Sequence, residues 1–146
     1  MARTAPTTRH ADLWTFALPV RWGDMDMLGH VNNCEFFRYA ESARLAFFEE
    51  VFGRDKPLFT SGSGPILADI GCTYHEQLRY PAELDVGVQI THIGSRSLQI
   101  ATPVFRRGED RAVADVRSIL VWFDYEAQQA TSVPQALHDR LQPLND

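Results

Sequence analysis

The pattern of hydrophobic and polar positions divides the chain into an early strand, one long helix and a run of later strands. The stretch from Leu13 to Arg21 is rich in apolar and β-favouring side chains, so we predict a first strand there. Pro19 lies near its end, which is typical of an edge strand or a bulge. After Asn33 the apolar residues recur with a helical period until Gly53, which predicts one amphipathic helix of about 20 residues.

The start of the predicted helix carries two asparagines that are suited to cap it. The side chain of Asn32 or Asn33 can accept a hydrogen bond from one of the unpaired backbone N–H groups of the first turn. Asn32 and Glu35 also have the spacing of a capping box. The helix bears several large aromatic residues, and a sheet is the natural cover for such a broad apolar face.

From Ile66 onward the pattern changes to the alternation typical of strands joined by short turns. Residues 54–65 are predicted to form a loop. Because the helix and most of the strands are segregated along the chain, we predict an α+β fold in which a five-stranded antiparallel sheet curls around the long helix. The later predicted elements are strands over Ile66–Leu78, Glu83–Ile93, Leu98–Val104 and Ala112–Tyr125, and a helical turn over Pro134–Leu141.

Composition and charge exclude several classes of protein. The 146 residues suit one domain, and 45% hydrophobic residues indicate a packed core rather than disorder. The net charge of −5 argues against a nucleic-acid partner, and no apolar run is long enough for a membrane span. Residues 1–12 are small and polar, so we expect a flexible N-terminal tail, followed by a single domain over residues 13–146.

The cysteines and the N-terminal sequence bear on location. The first residues lack the apolar core of an export signal, so a cytoplasmic location is expected, where Cys34 and Cys72 stay reduced. Cys34 falls in the first turn of the predicted helix and is either a small packing residue or a reactive thiol.

The most informative segment carries two acids immediately before the long helix. Asp24 and Asp26 are followed by His30 and by the predicted helix start. The first turn of a helix has unpaired backbone N–H groups, here those of Asn33 and Cys34, which can polarise an oxygen. A carboxylate beside such donors suits the hydrolysis of an activated carbonyl compound.

Each of these residues also has a structural interpretation. Asp26 could form an Asx turn, and Asp24 is better explained as a residue that stabilises the loop. His30 could be a general acid, a substrate contact or a loop histidine bonded to the backbone. Asn33 can cap the helix and can also donate an amide hydrogen bond.

The sequence predicts no metal or cofactor site. Asp69 and His75 share a face of one predicted strand, but no second histidine or cysteine joins them at ligand spacing. The loop from Thr60 to Pro65 lacks the lysine of a phosphate-binding loop and the pattern of a serine elbow, so we interpret it as a flexible wall of an acyl pocket. The aromatic residues that could line an aryl or a fatty-acyl pocket are Phe36, Phe37, Phe59 and Tyr74.

The segment DMDMLGHVNN at residues 24–33, followed by YAESAR at residues 39–44, resembles the hotdog-fold acyl-CoA thioesterases. Within that family the sequence is similar to the 4-hydroxybenzoyl-CoA thioesterase-like branch. The later segments YPAELD at residues 80–85 and IGSRS at residues 93–97 also resemble that branch, at the connections between strands. The resemblance covers residues 15–125.

The resemblance implies a fold, an assembly and a reaction. The fold is a long helix wrapped by a five-stranded sheet. The assembly is a homodimer whose sheets join edge to edge, often paired again into a homotetramer, with the active site between protomers. The reaction is hydrolysis of an acyl-CoA thioester to the free acid and CoA. No separate cofactor is implied, because CoA is part of the substrate.

The resemblance also implies roles for individual residues. Asp26 matches the catalytic aspartate, which acts as a general base or as a nucleophile, while the helix amides of Asn33 and Cys34 hold the carbonyl oxygen. Asn33 stands where several relatives have a histidine or a tyrosine, and Trp22 stands where some have a tyrosine. Arg96 matches a position that often provides a basic contact to the CoA phosphates.

Two other functions stay open on the sequence alone. One is a hotdog hydratase or dehydratase, although the histidine-phenylalanine-proline signature of those enzymes is absent from the sequence. The other is a non-catalytic hotdog module that binds acyl-CoA.

Overall fold

The computed structural model of the protein describes residues 3–54 and 62–141. The predicted α+β class and the order of its main elements are confirmed. Phe59, one of the predicted pocket residues, lies outside the described residues. The elements are β1 Trp14–Pro19, a 3₁₀ turn Trp22–Asp24, α1 Asn33–Phe52, β2 Ser63–Tyr74, β3 Glu83–Ile93, β4 Ser97–Arg106, β5 Ala114–Asp124, β6 Gln129–Ala130 and α2 Gln135–His138.

The strands form one antiparallel sheet in the order β1-β3-β4-β5-β2, and the short β6 pairs with β5. The second strand begins earlier and ends earlier than the predicted Ile66–Leu78, because its pairing with β5 runs from Ser63 opposite Asp124 to Tyr74 opposite Ala114. The two-residue β6 was not predicted, since a pairing this short leaves no alternation to detect.

Helix α1 begins and ends where the sequence predicted, because each end carries a residue that caps helices. The side chain of Asn32 accepts a hydrogen bond from the backbone N–H of Cys34, and Gly53 ends the helix at a φ of 90°. The expected pairing of Asn32 with Glu35 takes another form, in which the Glu35 N–H donates to the backbone carbonyl of Asn32.

The core lies between α1 and the inner face of the sheet, and α1 contacts all five long strands. Aromatic contacts fix this packing, with ring centroids 5.3 Å apart for Trp14 and Phe47 and 6.2 Å apart for Phe48 and Trp122. None of the helices in residues 3–54 and 62–141 is long and apolar enough to cross a membrane. The buried residues of α1 are Phe36, Tyr39, Ala40, Ala43, Arg44, Phe47 and Phe48.

The segment before β1 runs beside the hairpin between β4 and β5. Thr8 pairs with Arg111, and the Arg9 N–H donates to the carbonyl of Asp110 at 2.7 Å. The Arg9 guanidinium also lies 3.0 Å from the Asp85 carboxylate. The flexibility expected of residues 1–12 stays a prediction, but these contacts tie residues 8 and 9 to the sheet.

Candidate active site

A tight loop connects the 3₁₀ turn to α1 and places Asp26 at its base. Met25 pairs with Val31, and the Asp26 N–H donates to the carbonyl of His30 at 3.1 Å. The loop turns at Gly29, whose φ of 80° is the left-handed conformation that glycine adopts readily. The result is a small hairpin that holds Asp26 against the start of the helix.

The Asp26 carboxylate is half-buried and is fixed by two donors. Its Oδ1 accepts the backbone N–H of Leu28 at 2.8 Å, which is the predicted Asx turn. Its Oδ2 accepts a hydrogen bond from Nδ2 of Asn32 at 3.0 Å. A carboxylate has about four acceptor positions, so two of them stay available after these contacts. The Asx turn therefore orients Asp26 without occupying all of its oxygen lone pairs.

Asn32 connects this carboxylate to the helix. While its Nδ2 donates to Asp26, its Oδ1 accepts the Cys34 N–H at 2.9 Å. The Cys34 amide, predicted to hold a carbonyl oxygen, is thus engaged by the helix cap. In the described part of the chain the N–H of Asn33 has no partner, so this N–H can donate a hydrogen bond to an incoming oxygen.

Asp24 stabilises the loop, as the sequence analysis favoured. Only 3% of the residue is exposed, and its carboxylate accepts the backbone N–H of Arg21 at 2.9 Å. The hydroxyl of Tyr39, from the second turn of α1, donates to the same carboxylate at 2.7 Å. Tyr39 was assigned no role from the sequence, where it appeared only as the first residue of the segment at residues 39–44.

Stability should fall above pH 10 because Tyr39 resists ionisation inside the fold. Burial first, and then the hydrogen bond to Asp24, raise the pKa of Tyr39 above its ordinary value of 10.0. The folded protein keeps a proton that the unfolded chain releases, so this contribution is complete below pH 10 and is lost at about 1.4 kcal/mol per pH unit above it. Urea denaturation at pH 9, 10 and 11 measures the slope. Tyr39→Phe should reduce it, and equal slopes for both proteins would contradict this account.

A cleft with a volume of about 290 Å³ opens beside the start of α1. His30 and Asn33, both predicted site residues, line it together with Phe36 and Tyr74. The rings of Phe36 and Tyr74 meet edge to face at a centroid distance of 5.3 Å, and the Tyr74 hydroxyl donates to the Asn33 carbonyl at 2.8 Å. Burial raises the pKa of Tyr74 to about 12, so it stays a hydroxyl at neutral pH. The other lining residues are Arg3, Val31, His75, Glu76, Gln77 and Leu78.

Among the described residues, the side chain of His30 bonds to another side chain and not to the backbone. Its Nε2 lies 3.0 Å from Nη2 of Arg79. Because a guanidinium can only donate, Nε2 accepts in this contact and carries no proton. Arg79 therefore brings a positive charge to His30, a cleft residue.

Arg96 lies far from this cleft within one chain. The cleft residue Tyr74 pairs with Ala114, the first residue of β5. The Arg96 carbonyl accepts the N–H of Trp122, which is about 26 Å further along the same strand. Within one chain His30 and Asn33 thus line the cleft, Asp26 is bonded to the adjacent Asn32 but does not line it, and Arg96 lies at the other end of the sheet.

Three further residues belong to the region around the cleft and were not assigned to it from sequence. Asn32 was recognised as a helix cap, but not as a donor to Asp26. His75 lines the cleft and lies 2.8 Å from the carboxylate of Asp115. Two adjacent asparagines at a helix start are a signal in the sequence, because the helix needs only one of them as its cap. No local sequence pattern links His75 to Asp115.

The family follows from comparison with known proteins. A family model described as the thioesterase-like superfamily matches residues 20–141. The chain belongs to this superfamily. The resemblance seen in the motif at residues 24–33 is confirmed, and so is the hotdog fold with its long helix and curled antiparallel sheet.

Two known proteins are each 31% identical to this chain over the aligned residues. The PA2801 protein from Pseudomonas aeruginosa is 31% identical with a TM-score of 0.77, covering 86% of this chain and 95% of its own. The YsmA protein of Bacillus subtilis (strain 168) is 31% identical over 83 residues, which are 56% of this chain and 53% of YsmA. The match thus spans about half the length of that curated relative.

A second solved structure shows the fold alone. Slr0204, a 1,4-dihydroxy-2-naphthoyl-CoA thioesterase from Synechocystis, is 14% identical with a TM-score of 0.76, covering 88% of this chain and 95% of its own. At this identity the likeness shows a shared architecture, and a shared architecture does not by itself imply a shared activity.

Proposed function

We propose that the protein hydrolyses an acyl-CoA thioester to the free acid and CoA, with Asp26 as the catalytic carboxylate. One observation supports this reaction more strongly than any other. Asp26 is held by Leu28 and Asn32 at the start of α1, next to the backbone N–H of Asn33, which has no partner within residues 3–54 and 62–141. Membership of the thioesterase-like superfamily supports the same reaction.

The chemistry follows from the charges that develop during hydrolysis. Attack on a thioester places negative charge on the carbonyl oxygen, and the Asn33 N–H at the positive end of the helix dipole is suited to stabilise it. The Asp26 carboxylate either takes the proton of the attacking water or attacks the carbonyl carbon itself. In the first route the C–S bond breaks after water adds, and the proton taken by Asp26 passes to the departing CoA thiolate. In the second route the C–S bond breaks as Asp26 forms a mixed anhydride with the acyl group, and water then hydrolyses the anhydride, which releases the acid, regenerates Asp26 and supplies the proton of the CoA thiol. His30 and the side chain of Asn33 line the cleft and are proposed to contact the substrate.

Asn32→Ser should separate helix capping from the orientation of Asp26. Serine keeps an oxygen that can cap the Cys34 N–H, but it lacks the Nδ2 donor that bonds to Asp26. We expect the melting temperature to change little and kcat to fall about tenfold, as for the loss of one hydrogen bond to a charged group. Asn32→Ala, which removes both contacts, should also lose about 1 kcal/mol of stability. Unchanged kcat in both variants would show that Asn32 does not orient Asp26.

We also propose that the protein acts as a homodimer or homotetramer. Three large apolar side chains near the site are exposed, namely Trp22 at 75%, Met27 at 103% and Leu28 at 83%. The edge strand β2 likewise exposes Ile66 and Leu67. An assembly that covers these surfaces could bring Arg96 of a second chain to the CoA phosphates, and sedimentation analysis of the full chain would report its mass.

A cytoplasmic location is part of the proposal. Cys34 and Cys72 are both free thiols, which fits a reducing compartment.

A screen for thiol release tests the reaction directly. Purified protein is incubated with short, long and aromatic acyl-CoAs, and free CoA is followed with a thiol reagent. The proposal expects turnover of at least one class that depends on enzyme concentration. Tight calorimetric binding of acyl-CoA without thiol release over hours would favour the non-catalytic module. A change in a hydroxyacyl or enoyl absorbance would favour the dehydratase.

A further inference from the structure

A buried histidine and a carboxylate meet at the edge of the candidate active site. His75 follows the last residue of β2, and its side chain is 8% exposed. Its Nε2 lies 2.8 Å from Oδ2 of Asp115, on the adjacent strand β5. The same carboxylate oxygen accepts the backbone N–H of Thr7 at 3.0 Å. Asp115 is thus held from two sides, and it holds the imidazole in turn.

The partner of Nε2 determines which ring nitrogen carries the proton. An ionised carboxylate can only accept, so Nε2 of His75 donates to Asp115. In the neutral ring Nδ1 then has a free lone pair. Among the described residues, the hydrogen bond of the His75 ring is the one from Nε2 to Asp115.

Because His75 lines the cleft and its Nε2 is bonded to Asp115, Nδ1 is the ring nitrogen that can bind a ligand in the cleft. The residue lines the same cleft as Asn33 and Tyr74. The Asn33 N–H has no partner among the described residues, and the Tyr74 hydroxyl donates to the Asn33 carbonyl. The cleft therefore offers a donor for a carbonyl oxygen and, from a rigidly held ring, an acceptor. A ligand that bonds to both the donor and the acceptor has a carbonyl oxygen and, at another position, an O–H or N–H group.

We propose that Nδ1 of His75, oriented by Asp115, accepts a hydrogen bond from a donor group of the bound acyl-CoA. This inference rests on the proposed function and names a specificity determinant for the same site. The donor is either a hydroxyl on the acyl group or an amide N–H of the pantetheine arm, since both groups occur near the thioester of such substrates. His75 contacts the substrate in this account but transfers no proton during hydrolysis.

Two variants remove the acceptor in different ways. In His75→Gln the amide nitrogen can still donate to Asp115, but nothing replaces Nδ1. In Asp115→Ala the ring loses the carboxylate that keeps the proton on Nε2 and fixes its orientation, so Nδ1 is no longer held as an acceptor. His92→Gln, at an exposed position on β3, is the matched control. Thermal melting selects the variants that are folded.

Matched substrate pairs, such as 3-hydroxybutyryl-CoA with butyryl-CoA and 4-hydroxybenzoyl-CoA with benzoyl-CoA, identify the donor. If it is an acyl hydroxyl, both variants lose about tenfold in kcat/KM for the hydroxylated member, and the unhydroxylated member is unaffected. If it is a pantetheine amide, KM rises about tenfold for both members while kcat holds. Values unchanged from those of the His92→Gln control for every pair would overturn the proposal.

Calorimetry with a non-hydrolysable analogue, in which a methylene group separates sulfur from the carbonyl, keeps this test independent of turnover. If the wild-type protein binds the analogue but hydrolyses no acyl-CoA, the proposed reaction fails, and the dissociation constants of the two variants still decide the role of His75. A tenfold weaker binding in both variants supports it, and equal binding refutes it. If the wild-type protein binds no analogue, both proposals fail.

Discussion

Asp26→Asn should lower kcat for acyl-CoA hydrolysis by about 100-fold or more, because general-base or nucleophilic catalysis needs the ionised carboxylate. Asparagine has the same shape and can keep the hydrogen bond from the Leu28 N–H to its oxygen. It has no charge and cannot take a proton at neutral pH. Steady-state thiol release on the best substrate measures kcat and KM together, and KM should stay within a few-fold of the wild-type value.

The control for Asp26→Asn is Asp110→Asn, at an exposed position in the turn between β4 and β5. It removes the same charge at a residue that does not line the cleft and should leave kcat unchanged. Retention of more than half of the wild-type kcat by Asp26→Asn would remove Asp26 from the mechanism. Equal losses in both variants would point to net charge rather than to the site.

The second large effect is expected on stability. Asp24→Ala should lower the free energy of unfolding by about 3 kcal/mol, because it leaves buried hydrogen-bond donors without a partner. The Tyr39 hydroxyl loses an acceptor at 2.7 Å and the Arg21 N–H loses one at 2.9 Å. The ion pair with the Arg21 guanidinium adds little, since that side chain is 71% exposed.

Urea denaturation of the folded variant gives this free energy directly. Asp110→Ala is the matched control and should change stability by less than about 0.5 kcal/mol, as is usual for exposed positions. A loss below 1 kcal/mol for Asp24→Ala would show that the buried carboxylate does not hold the loop. Tyr39→Phe should give an intermediate loss, because only one of the hydrogen bonds is removed.

The helix could be predicted from sequence because its signals are local. Asn32 and Gly53 act on residues within one turn of themselves, so their identity and spacing suffice to place both ends. The same holds for Asp26 as an Asx residue, whose partner Leu28 is two positions away. The alternation of apolar and polar residues predicted the later strands, but the limits of β2 depend on its pairing with β5.

The remaining features of the site depend on contacts that the sequence pattern does not contain. The side chain of Asn32 has an acceptor and a donor, and only the fold shows that the donor meets Asp26 while the acceptor occupies the Cys34 amide. His75 and Asp115 are 40 residues apart, and they meet because of strand register, which alternation alone does not determine.

A crystal structure of the protein with the non-hydrolysable ketone analogue of its best acyl-CoA tests the central claim most directly. The account predicts that the analogue's carbonyl oxygen accepts the Asn33 N–H at about 3 Å. It also predicts a carboxylate oxygen of Asp26 within about 3.5 Å of the carbonyl carbon or of a water molecule positioned to attack it. A carbonyl group bound away from the start of α1, for example on the outer face of the sheet, would contradict it.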